Sequence, residues 1–138
     1  MGTWAVDAFG NDYAQDWAED LKETSNLDAV ENTLDVALED NGDELEMPFA
    51  VEALVAIEVL ARLQGKGGAR TEDSAAVDDW ADARKPKARL RTDLAEKAGR
   101  AIERILSERS ELRELWEESE HYQEWLASVE DLRSRLTA

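Results

Sequence analysis

From Pro48 to Leu63 the chain places Phe49, Val51, Leu54, Val55, Ile57, Val59, Leu60 and Leu63 around every side of a 3.6-residue helical period. A helix with no polar face has to be enclosed by its neighbours. Pro48 suits a first helical turn, where its missing N–H removes no hydrogen bond. Segment 48–63 is therefore expected to be the buried central helix of a bundle. With Glu52, Glu58 and Arg62 inside it and a length of about 15 residues, it is too short and too charged to span a bilayer.

The rest of the chain supplies helices to cover it. Nowhere do Val, Ile and Thr alternate with polar residues over a strand's length, whereas the helical period recurs throughout. Asn11 and Asp12 can cap a first helix over about 12–23, stacking Tyr13, Trp17 and Leu21. A second begins at Ser25 or Asn26, carries Leu27, Val30, Leu34, Ala37 and Leu38, and stops at Asn41-Gly42. After Gly65-Lys66-Gly67-Gly68, a helix stop, residues 64–73 are expected to form the main flexible loop. A short helix near 74–83 holds Val77 and Trp80. A long one runs from Pro86 to about 107, where Gly99 suggests a close helix crossing. Ser110 caps a short piece with Leu112, Leu115 and Trp116, and a last helix near 119–136 closes the chain. The expectation is a single all-α domain, 1–138, of six or seven helices.

Several chemistries lack their residues. There is no cysteine, so no disulfide, thiolate site or cysteine nucleophile exists. The first residues carry Asp7 and no following apolar run, unlike a secretory signal. Glu118-x-x-His121 has di-iron spacing, but His121 is the only histidine and no second such motif follows. No Gly-x-Ser-x-Gly elbow supports hydrolysis. Gly65-Lys66-Gly67-Gly68 lacks the strand, the spacing and the Ser or Thr after Lys of a phosphate loop. The acidic groups Asp12/Asp16/Glu19/Asp20 and Asp40/Asp43/Glu44/Glu46 do not follow a calcium-loop pattern. No catalytic residue, metal or cofactor is expected.

Charge is unevenly distributed. Of the net −17, residues 1–63 carry −14, with only Lys22 and Arg62 as bases. Such a surface repels nucleic acid and favours rapid association with a basic partner. The one positive cluster is Arg84, Lys85, Lys87, Arg89 and Arg91. It is a candidate anion or partner patch, or the counter-charge to the acidic half within the chain or across a homodimer. Glu58 sits mid-way along the most apolar helix, where an unpaired charge is costly. Arg62, four residues on at a helix edge, is its simplest partner. A second reading has Glu58 accept hydrogen bonds from the Gly2-Thr3-Trp4 backbone or the Trp4 indole.

Residues 2–17, Gly2-Thr3-Trp4 through Phe9, Asn11-Asp12, Asp16 and Trp17, concentrate aromatics around a turn at a chain end. This opening Gly-x-Trp…Phe-x-Asn-Asp-x-Ala-x-Asp-Trp resembles a bacterial family of domains of unknown function, domain of unknown function 4259. The helix Ala53–Ala61, the Trp80 helix and Ser110–Trp116 are similar to that family as well, while Ala5 stands where a Gly is usual. The resemblance implies a compact helical protein and supplies no activity, cofactor or catalytic residue.

Together these features point to a cytoplasmic, non-enzymatic protein-interaction module, in its concrete form an immunity or inhibitor-type protein for a basic partner. The alternatives are a small-ligand protein or enzyme with a pocket near Trp4, Phe9, Trp17 and Glu58, and a structural homo-oligomer.

Overall fold

The apolar segment becomes the helix around which everything else is arranged. In the computed structural model, which describes residues 5–24, 26–39, 44–68, 70–84 and 92–137, seven helices lie among the described residues. They are α1 (Asp12–Leu21), α2 (Asp28–Leu38), α3 (Met47–Leu63), α4 (Ala75–Arg84), α5 (Thr92–Ile105), α6 (Glu111–Glu117) and α7 (Tyr122–Thr137). Helix α3 packs against each of the other six. From Ala50 to Arg62 every residue but Glu52 is buried. No strand forms among the described residues, and the protein is an all-α bundle around α3.

Local signals place most helix ends. The Asn11 side chain accepts the Ala14 N–H at 2.9 Å and caps α1. The buried stripe of α1 is Ala14, Trp17, Ala18 and Leu21. Tyr13 is 39% exposed, so the stripe is turned by one residue from the expected Tyr13–Trp17–Leu21 stack. Small alanines let α1 approach α3 where a tyrosine would hold it away. Asn26 accepts the Asp28 N–H at 3.0 Å to open α2. The expected stop at Asn41-Gly42 lies outside the described residues.

Helix α3 ends in a Schellman motif. Gly65 has φ 75°, its N–H donates to Arg62 O at 3.0 Å, and Lys66 N–H donates to Ala61 O at 2.7 Å. Ser110 caps α6 by accepting the Arg113 N–H at 3.3 Å. Gly99 on α5 departs from expectation: a Cβ there meets nothing within 4 Å. It marks no close crossing, and α5 buries Leu94, Ala98, Ala101, Ile102 and Ile105 on another face. The Pro86 start of that helix lies outside the described residues.

One tie has no sequence signal. Leu45 N–H donates to Arg109 O at 2.7 Å and Glu111 N–H donates to Leu45 O at 3.0 Å, an isolated parallel bridge between Leu45 and Ser110. The Glu111 carboxylate also accepts the Met47 N–H at 2.7 Å, satisfying an unpaired donor at the start of α3. The C-terminal part is then pinned by aromatics, Trp116 of α6 stacking on Trp125 of α7 with centroids 6.2 Å apart.

Candidate functional site

Glu58 and Arg62 lie one turn apart on α3, and both are buried, at 7% and 6% exposure. Their ion pair is inside the bundle rather than at a helix edge. Burial is tolerable because the pair is one link in a longer chain of charges. Arg62 Nε donates to Asp78 Oδ1 of α4 at 2.5 Å. Asp78 Oδ2 accepts the Ser74 hydroxyl at 2.7 Å. On the other side, Arg135 of α7 donates to both Glu58 oxygens, at 2.9 Å and 3.3 Å. Arg135 also donates to Asp131 at 3.0 Å and to Lys66 O at 3.1 Å.

Burial acts against the charge of Arg135, yet its hydrogen bonds and attraction to Glu58, with Asp131 behind them, hold its pKa above the ordinary value. The sequence Asp78–Arg62–Glu58–Arg135–Asp131 therefore ties α4, α3 and α7 together. Both oxygens of each buried carboxylate are taken up by this chain. Its chemistry is that of a structural latch.

Two parts of the sequence close over this chain. The Arg62 guanidinium lies 4.9 Å from the Phe9 ring centroid, a cation–π contact that joins the N-terminal segment to the latch. The glycines after α3 form its roof. A Cβ on Gly67 would stand 2.7 Å from Arg62 Cγ, and one on Gly68 would stand 3.2 Å from the Arg135 guanidinium carbon. A side chain at 67 would force Arg62 to shift, whereas at 68 the tip of Arg135 would have to give by only a few tenths of an ångström.

The residues singled out in the sequence fall in different places. Trp4, Lys85, Lys87, Arg89 and Arg91 lie outside the described residues. Phe9 is buried, while Asn11 is the α1 cap. Asp12 and Asp16 are exposed on α1. Trp17 is buried, and its indole N–H donates to the Thr33 hydroxyl at 2.9 Å. Of these residues only Phe9 and Glu58 meet the latch, Phe9 by way of Arg62. Beside the 5–11 segment lies a cavity of about 10 Å³ lined by Asp7, Asn11, Trp116 and Trp125 among others, no larger than one water. His121 is exposed and 3.4 Å from Glu124, and the described residues contain no group of three metal-ligating side chains.

Asp78, Ser74 and Arg135 had no part in the sequence reading. Asp78 had a faint signal, since it follows Val77 and precedes Trp80 and Ala81 on a helix whose inner face is apolar. Arg135 had none.

The N-terminal segment also explains Ala5. Asp7 Oδ1 accepts N–H groups from Phe9 at 2.8 Å and Gly10 at 3.0 Å, and Ala5 N–H donates to Gly10 O at 3.1 Å. A Cβ on Gly10 would stand 2.4 Å from the Ala5 Cβ. Ala5 fits because residue 10 is glycine, and no described residue other than glycine has positive φ. The turn lies within residues 2–128, which a family model, Domain of unknown function (DUF4259), matches. The chain belongs to the DUF4259 family. No curated protein and no solved structure matches it. In this DUF4259 chain Phe9 and Asn11 have structural roles, Phe9 against the Arg62 guanidinium and Asn11 capping α1, while Asp12 is exposed.

Proposed function

We propose that this DUF4259 protein is a cytoplasmic protein-interaction module whose acidic α1 face receives a basic partner, in the manner of an immunity protein. The observation that supports the reading is the concentration of exposed acids on and beside α1. The Glu52 carboxyl is pushed above its ordinary pKa by partial burial and then by Asp20 of α1. Asp12, Asp16, Glu19, Asp20 and Glu23 are all exposed on or next to that helix, with Lys22 paired to Glu19 and Tyr13 partly exposed among them. Like charges held together in the isolated protein are relieved by a cationic surface, which favours complementary association and a high encounter rate.

The test is capture from extract of the native host, followed by binding of the purified partner to wild-type protein and to Asp16→Asn/Asp20→Asn. The reading expects a basic partner whose association slows as ionic strength rises past about 0.1 M, where the Debye length is about 10 Å, and slows in the variant as well. A partner indifferent to both changes would refute it.

A further inference from the structure

Arg135 sits where three parts of the fold meet. From the last turn of α7 its guanidinium donates to both Glu58 oxygens on α3 and, at 3.1 Å, to Lys66 O in the loop after α3. The loop backbone lies against it, since a Cβ on Gly68 would stand 3.2 Å from the guanidinium carbon. Glu58 is buried, and on this side its carboxylate is covered by the half-buried Arg135 side chain and the loop.

Neither covering piece has much else to hold it. Beyond Leu132, α7 adds one partly buried apolar residue, Leu136, and a solvent-facing Arg133–Glu103 pair at 3.5 Å, of a kind worth little. Residues 65–68 are exposed or half-buried and place no apolar side chain in the core. Their backbone ties to α3 are the Gly65 and Lys66 N–H groups on Arg62 O and Ala61 O. Segments with few buried apolar contacts are the ones that open locally. The other end of the charge chain differs, with Asp78 and Arg62 buried between α3 and α4 and Phe9 packed on the Arg62 guanidinium.

We propose that the end of α7 and the 65–68 loop form a single gate over Glu58, pinned by Arg135, so that the two open together and the carboxylate meets water only when they do. Opening stays local because Glu58 keeps Arg62 as its partner, and no buried charge is left alone. Coupling of this kind is reciprocal. Whatever loosens the loop loosens the helix end, 69 residues away in sequence.

The test is amide hydrogen exchange on the full chain at neutral pH, with wild type, Arg135→Gln and Gly68→Val. Among the described glycines only Gly65 has positive φ, so residue 68 accepts valine without backbone strain, and the added methyl groups displace the guanidinium. Arg135→Gln should speed exchange at the Lys66 amide, as well as at the end of α7, by about tenfold, as for loss of hydrogen bonds to a charged group. Gly68→Val, a change in the loop alone, should speed exchange at the end of α7. Carbodiimide labelling of Glu58, read by mass spectrometry, should rise in both variants, while the amides of α1 keep the wild-type rate. A Lys66 amide unchanged by Arg135→Gln, an α7 end unchanged by Gly68→Val, unchanged labelling of Glu58, or acceleration that spreads equally to α1 would overturn the proposal.

Discussion

Arg62→Met is the most severe single test of the buried charges. The substitution keeps most of the aliphatic stem, so packing under Gly67 changes little, while the guanidinium is lost. Asp78, 4% exposed, is left with the Ser74 hydroxyl alone, and Glu58 depends on Arg135 alone. The contact with Phe9 disappears too. Removing one partner from a buried ion pair costs about 3–5 kcal/mol, because the remaining charge stays desolvated. Glu58 keeps one cation, which argues for the lower part of that range. With a urea m-value of about 2 kcal/mol/M, the midpoint should fall by about 1.5–2 M.

Replacing the whole buried trio, as Glu58→Met/Arg62→Met/Asp78→Leu, should recover most of the loss, since apolar replacements of buried ion pairs are often neutral or stabilising. Urea denaturation followed by tryptophan fluorescence at pH 7 measures both variants. A midpoint for Arg62→Met within about 0.5 M of wild type, equivalent to about 1 kcal/mol, would mean that the charges are not buried as described.

Three further outcomes follow from the same geometry. Gly67→Ala puts a Cβ 2.7 Å from Arg62 Cγ and should cost about 1–3 kcal/mol, as other overpacking changes do; equal melting of variant and wild type would contradict the roof. Gly99→Ala meets open space and should stabilise by about 0.5–1 kcal/mol in thermal unfolding. Glu52→Gln tests the cost of holding that carboxylate partly buried and beside Asp20. The folded pKa of Glu52 is raised, so its charged form opposes folding above that pKa and the penalty vanishes as the group protonates. The Gln variant should therefore be the more stable at pH 7, with the advantage fading as pH falls through the raised pKa; an advantage that grows toward low pH would refute this sign.

What could be read from the residues, and what could not, divides along a physical line. Local signals reported local structure: the all-round apolar helix became the centre, Asn11 and Ser110 became caps, and Gly65 became a left-handed helix stop. Tyr13 was misplaced because a three-position stripe at four-residue spacing ignores the alanines between, and Ala14 and Ala18 are what face α3. Gly99 was misread because glycine in a helix has no single cause. The latch was half visible. Glu58 and Arg62 share one helix, so their spacing is legible, whereas Asp78 and Arg135 reach them only after α4 and α7 have packed. The loop 65–68 was legible as a stop, but its contact with two arginines depends on where those side chains end. Arg84 was visible as a member of a basic run, whereas its seat over the Trp80 ring and on the Thr24 carbonyl exists only after α4 has packed beside the end of α1.

The central claim is that one chain of charges, buried from Asp78 through Arg62 to Glu58 and reaching the surface at Arg135 and Asp131, couples helices distant in sequence. A double-mutant cycle between Glu58 and Arg135, using Glu58→Gln, Arg135→Gln and the double variant in urea unfolding, measures that coupling across 77 residues of chain. The account predicts a favourable interaction energy of about 1–3 kcal/mol, within the range for residues in one ion-pair network. Losses that add to within about 0.5 kcal/mol, the limit for independent sites, would contradict it.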